Sequence, residues 1–484
     1  MYLMKKNIFL NENYNKTGFN KTHVLIAMIL SAIILATDKF LIYSFFIVPI
    51  ILLYIRFDIK TVLNLSLILM LTVTSSLGEE LRLAVQLFSY GVFGIYFLSR
   101  FGFEIRRYPK LPSEIILFFA FYFLSIFISF IFSDFQRIGF DYITRILLFF
   151  QIAYLVYSTI ENEDSIKKLI IVVFLVASII SLSIFYELAL NNFNFLDFEI
   201  SMYFRSGGLI PNVNAAAGLF AISFPIAVVL LFGDFDRKIK NILKLFIVII
   251  FIGIILSNSR AAYISLIISI SFILFNLKRR LFNYGLIGLF LLSLIFLVIP
   301  PLNEFLTLFL RLQDGISYRE YLWKLSVDII NDNWVFGVGP GAFGQVMFKY
   351  FPVMLDSWQG VVFKDLFDIT NAGNVSHNFY LGFFAELGML GLITSILLPI
   401  IFFRIAVQTI RWYKKIRNNY YFLTLGITSV GLGLFVRANL DNVSIITNGY
   451  ITTDLPFWIV FSILIFIFLQ SKKEQGIIKN CNKF

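Results

Sequence analysis

Residues 169–189 read LIIVVFLVASIISLSIFYELA, an apolar run in which Glu187 is the only charged side chain. Wound as an α-helix, such a stretch is about 30 Å long, which matches the hydrocarbon thickness of a bilayer. Runs of this kind recur about fourteen times, from 22–37, 40–55 and 60–76 to 378–403, 420–436 and 454–470. Of the 484 residues, 59% are hydrophobic and only 14% charged, which is more apolar surface than a soluble globular domain can bury. Strict alternation over segments of about ten residues is absent, which excludes an outer-membrane barrel. The fold class is therefore all-α: a polytopic membrane protein with about 12–14 transmembrane helices.

A net charge of +11 invites a nucleic-acid reading, but its distribution decides otherwise. With the N-terminus in the cytoplasm, 28 of the 40 lysines and arginines fall on the cytoplasmic side, including Arg106, Arg107, Lys278, Arg279 and Arg280. That is the positive-inside asymmetry of an inserted protein, and no nucleic-acid partner is expected. The lone cysteine, Cys481, excludes internal disulfides and thiolate metal clusters. The expected organisation is a cytoplasmic tail over 1–21, transmembrane helices over 22–300, an extracytoplasmic loop with short helices over 301–377, transmembrane helices over 378–470 and a cytoplasmic tail over 471–484. No cleavable signal peptide is read in the polar head before the first span.

The loop 301–377 is the only long polar interval, and at its end stands one of only two histidines in the chain. His377 lies in Ser376-His377-Asn378, followed nine residues later by Gly388-Met389-Leu390-Gly391. Imidazole titrates near neutrality, so at the mouth of a span it suits a group that accepts and returns a proton. His23, at the cytoplasmic entry of the first span, has a bland interfacial reading. Glu386 should lie about 14 Å deeper than His377 along a regular helix, too far to orient the ring.

Few basic residues fall on the outer face, and three arginines there have informative surroundings. Arg205 precedes Gly207-Gly208-Leu209-Ile210-Pro211-Asn212, a turn in which backbone can approach a ligand closely. Arg260 lies in the short turn Ser257-Asn258-Ser259-Arg260. Arg319 opens a helical stretch that ends at the glycine-rich turn Gly337-Val338-Gly339-Pro340-Gly341. That turn fits a dinucleotide fingerprint by letter, but its proline and its lack of a preceding βαβ strand make the resemblance empty. Guanidinium groups grip phosphate oxygens through a planar fork, so several of them beside a histidine suit a diphosphate-linked substrate.

The order Arg205…Pro211-Asn212…Ala215, Ser259-Arg260-Ala261, Arg319…Trp323…Gly337-Val338-Gly339-Pro340-Gly341 and His377-Asn378-x9-Gly388-x-x-Gly391 resembles the bacterial O-antigen ligase and O-antigen polymerase superfamily. The resemblance covers roughly residues 200–400. It implies a metal-independent, inverting glycosyltransferase in the bacterial inner (cytoplasmic) membrane, with its active site on the extracytoplasmic face. The donor would be a glycan on undecaprenyl diphosphate. The acceptor would be another lipid-linked glycan in a polymerase or lipid A-core in a ligase, and a chain-length regulator is a further partner open to such an enzyme. By the same resemblance, His377, Arg260 and Arg319 are the candidate catalytic residues and Arg205, Asn212 and Asn378 the candidate substrate-binding residues. About fourteen spans, against the twelve or so usual in ligases, tilt the reading towards a polymerase of surface polysaccharide.

No cofactor is expected, and no His, Asp or Glu cluster has the spacing of a catalytic metal site. The competing class is a transporter or flippase for a lipid-linked oligosaccharide. Transporters tend to show paired repeats and charged discontinuous helices at mid-membrane, and neither is visible in the sequence.

Overall fold

The computed structural model describes residues 59–197, 202–310, 319–350 and 375–481. The expected spans 22–37 and 40–55, the N-terminal tail and His23 lie outside the described residues. Among those described, eleven helices are long and apolar enough to cross a membrane. They are α2 (Glu79–Phe101), α3 (Ser113–Ile131), α4 (Gln136–Ser158), α5 (Glu163–Leu190), α6 (Val213–Leu230), α7 (Arg237–Ser257), α8 (Arg260–Leu277), α9 (Arg279–Val298), α13 (Phe379–Tyr413), α14 (Asn419–Arg437) and α15 (Ile451–Cys481). The apolar helix α1 (Ile59–Thr72) is shorter. Each expected span from 60–76 onward thus coincides with a helix, and the chain is a multi-pass membrane protein.

Between α9 and α13 come α10 (Pro300–Phe309), α11 (Arg319–Asn333) and the single turn α12 (Phe343–Val346). The connection from α5 to α6 carries a small departure from an all-helical chain. There β1 (Leu196–Asp197) and β2 (Met202–Tyr203) pair antiparallel, with Leu196 opposite Tyr203.

Local chemistry sets several helix ends. Asn162 and Ser165 form a capping box at the start of α5, each side chain bonding the other's backbone N–H. Glu163 and Asp164 in the first turn suit the positive end of the helix dipole and reach Lys167 and Lys168 one turn on. At the far end, α13 and α15 run past their expected limits of 403 and 470. The carboxylate of Glu474 explains the extension, because it accepts from Trp412 Nε1 at 2.8 Å and from Tyr413 Oη at 3.2 Å.

The chain divides into two compact units, Met1–Ser66 with Leu83–Tyr108 and Leu67–Arg82 with Pro109–Phe484. In the first, Ser89 Oγ donates to Ser66 O and Val85 O, satisfying the hydroxyl inside the apolar packing. The second unit holds every candidate site residue. Its centre is α6, buried on nearly all sides, with α14 and α15 also mostly buried. The helix α9, by contrast, exposes Leu286, Ile287, Phe290 and Leu291, as a lipid-facing helix does.

Candidate active site

Four helices of the second unit begin close together. Residue Val213 opens α6, Arg260 opens α8, Arg319 opens α11 and Phe379 opens α13. Their dipoles make this end of the bundle favourable for an anion, although the first N–H groups of α6 and α13 are taken up by caps. Asn212 caps α6, its Oδ1 accepting from Asn214 N at 2.9 Å and Ala215 N at 3.2 Å. Asn378 caps α13 in the same way, accepting from Tyr380 N and Leu381 N at 3.0 Å each. Its Nδ2 donates to Asn439 O. Both asparagines were expected as substrate-binding residues, yet their side-chain oxygens are engaged in capping.

His377 sits immediately before that cap with φ of 49°, a left-handed conformation uncommon for a residue with a side chain. Such a conformation persists where the surroundings over-determine it. Here Trp323 Nε1 donates to the His377 carbonyl at 3.5 Å, and the ring Nδ1 lies 3.5 Å from Asp441 Oδ1. The ring is one-quarter exposed, whereas Asp441 is wholly buried. The other carboxylate oxygen of Asp441 lies 3.5 Å from Arg319 Nη2. Two of the three expected catalytic residues therefore meet on one buried acid in the connection between α14 and α15.

Burial alone would raise the Asp441 carboxyl. The hydrogen bond with His377 and the charges of His377, Arg437 and Arg319 outweigh it and hold the group at about 2. Arg437, the last residue of α14, is only 1% exposed and carries the cluster across to α6. Its Nη2 donates to Asn214 O and its Nη1 to Ser444 Oγ at 3.2 Å. Its Nε has no partner among the described residues. A Cβ at residue 218 would collide with Ser444 Oγ and Arg437 Nη1, so only glycine lets the guanidinium pass.

Asn214 then gathers the remaining candidates. Its Oδ1 accepts from Arg205 Nη2 at 3.1 Å and from Ser259 Oγ at 3.0 Å, which holds the start of α8, and hence Arg260, beside the network. One chain of contacts runs His377–Asp441–Arg437–Asn214–Arg205, with Arg319 and Ser259 as branches. Sequence reasoning singled out neither Asp441 nor Asn214 nor Arg437. Asp441 lies 64 residues from His377, and nothing local in the sequence marks the pairing.

The helix α13 is broken at Gly388, whose φ of 66° and ψ of −157° lie outside the helical region. The turn after α11 lies in the break: Val338 N donates to Ala385 O and Gly339 N to Glu386 O, both at 3.0 Å, and Met389 N to Val335 O at 3.3 Å. A Cβ at Gly388 would strike Val335 O, and one at Gly337 would strike Glu386 O. Gly337, Gly339 and Gly341 all have positive φ, so the turn expected there is present. A cavity of about 20 Å³ lies between Glu386 and Ser376, lined also by Tyr142, Phe383, Asn442 and Asn448.

Among the described residues no three His, Cys, Asp or Glu side chains come together as metal ligands. Comparison with known families is informative over part of the chain. Residues 245–396 match the O-antigen ligase family. The match supports the O-antigen ligase and polymerase superfamily that the sequence resembles, and with it a glycosyltransferase-like membrane enzyme. The matched region contains Arg260, Arg319, His377 and Asn378, together with Glu386 and the glycine-rich turn. Arg205, Asn214, Arg437 and Asp441 lie outside it and join the site only through the fold. Comparison with curated proteins gives no match.

Proposed function

We propose that the protein is an inverting, metal-independent glycosyltransferase on the extracytoplasmic side of the bacterial cytoplasmic membrane. It transfers a glycan from undecaprenyl diphosphate to the hydroxyl of a second lipid-linked glycan and so polymerises surface polysaccharide. The observation that carries this reading is the contact chain that joins His377 and Asp441 to Arg319, Arg437 and Arg205, with Ser259 placing Arg260 beside it, where four helices begin. A histidine backed by a carboxylate is a base, and arginines among helix N-termini are a diphosphate site.

In this reading the donor diphosphate rests on Arg205, Arg260 and Arg319. Asp441 holds His377 by Nδ1, so that Nε2 faces the acceptor hydroxyl. The acceptor oxygen attacks the anomeric carbon as its proton passes to Nε2, and the bond from that carbon to the diphosphate oxygen breaks on the opposite face. Diphosphate departs with the electron pair, and its charge is met by guanidinium groups, so no general acid is needed. Asn212 and Asn378 contribute by fixing the helix ends that carry these groups.

A ligase reading, with lipid A-core as acceptor, is favoured by the description of the matched family. One experiment separates the possibilities. The purified protein is incubated with an undecaprenyl-diphosphate-linked oligosaccharide, with and without lipid A-core, beside His377→Ala. A ladder of longer lipid-linked glycans that the variant cannot make supports the polymerase. Transfer only onto lipid A-core replaces it with the ligase. No transfer, with movement of the lipid-linked sugar across liposomes, would make the protein a transporter.

A further inference from the structure

The buried carboxyl of Glu386 has no part in the chemistry above, yet it sits at the break in α13. Its Oε2 accepts from Gly341 N at 3.1 Å and its Oε1 from Phe343 N at 3.3 Å. Its own carbonyl accepts from Gly339 N and from Ser129 Oγ at 2.6 Å, and Ser133 Oγ donates to Val338 O at 2.9 Å. A carboxyl whose two oxygens each accept a backbone N–H holds the turn at two points, and burial raises the cost of losing those bonds. The segment from residue 335 to 343 is therefore fastened to a span through its main chain, at a point where that span has opened its own hydrogen bonds.

Both arms of this fastening lead to the site. Upstream of the turn is α11, which packs along α13 through Leu322, Leu325 and Ile329 and begins with Arg319. Upstream of Glu386 on α13 is His377, two and a half turns away, with its carbonyl bonded by Trp323 of α11. We propose that Glu386 is a positioning residue: by clamping the glycine-rich turn into the break of α13, it fixes α11 against α13 and so sets Arg319 relative to His377. This rests on the reading of Arg319 and His377 as donor-binding and base residues.

The test uses the full-length protein in detergent and two variants, Glu386→Ala and Glu386→Gln. Hydrogen exchange reads the clamp without any assumption about activity. In Glu386→Ala, faster exchange at 337–343 that spreads to 319–326 is expected. Unchanged exchange at 337–343, or a loss confined to it, would overturn the proposal. Transfer kinetics supply the second arm. KM for the lipid-linked donor should rise about tenfold in Glu386→Ala, the scale at which a small misplacement far from the chemistry is felt. Glu386→Gln, which keeps one carbonyl acceptor, should recover most of it. Partial unfolding lowers the active fraction and kcat but leaves KM alone, so an unchanged KM with faster exchange also overturns the proposal. If the wild-type chain transfers no glycan, the functional reading fails, while the spread of exchange from 337–343 to 319–326 still decides whether the clamp holds.

Discussion

At the scale of single residues the organising group is Asp441. It is wholly buried, it faces His377 and Arg319 at 3.5 Å, and it shares the field of Arg437. Replacing it with asparagine removes the charge that pairs all three while keeping the shape. A buried pair broken on one side costs on the order of 3–5 kcal/mol, because the partner charge is left uncompensated. Asp441→Asn should therefore lower the unfolding temperature, and it should reduce kcat by about 10²-fold through loss of a correctly held base. Thermal scans and initial-rate kinetics on the same preparation check both. A variant with normal kcat would separate Asp441 from the chemistry.

At the scale of elements the feature that matters is the break in α13. A helix interrupted within a bilayer survives only where other groups satisfy the freed backbone, and here the turn from 335 to 343 supplies them. Gly388 occupies a conformation open to little else, at a cost of order 1–3 kcal/mol for a residue with a Cβ, before the clash with Val335 O is added. Gly388→Ala should destabilise the protein by at least about 2 kcal/mol. The measurement is the shift in unfolding temperature beside Gly285→Ala, where a Cβ would meet nothing within 4 Å. Equal effects at the two positions would mean that the break carries no stability.

At the scale of the whole molecule, charge and acid stability are linked. Asp441 is held at about 2, below its ordinary 3.8, so the folded state binds its proton less readily than the unfolded chain. Its contribution is complete above the ordinary value and is lost as pH falls towards about 2. The two values correspond to a contribution on the order of 2 kcal/mol. Unfolding temperatures measured from pH 5 downward should fall for the wild-type chain and fall less steeply for Asp441→Asn. Parallel curves would assign the acid sensitivity elsewhere.

The scale at which a feature lives also decides whether the sequence discloses it. Spans are written in local composition, so the run at 169–189 announces α5 without any knowledge of its neighbours. His377 drew notice as one of two histidines, and the three arginines because they stand on the face expected to carry few basic residues. Asp441 and Asn214 were not, since an acid in a short polar connection and an asparagine after a cap have ordinary local explanations. Their importance comes from contacts across tens to hundreds of residues. The regular rise of a helix puts Glu386 too far from His377 to orient its ring; what it does not disclose is the break at Gly388, just beyond Glu386.

The clamp around Glu386 engages amide hydrogens and carbonyl oxygens of the glycine-rich turn, not its side chains. A fastening of that kind is indifferent to most of the letters it fastens. Apart from its glycines, the turn from 335 to 343 can therefore change its side chains while the membrane body keeps its hold on it. In evolutionary terms it is a bracket whose fastening tolerates drift in everything but its glycines and the carboxyl that grips it.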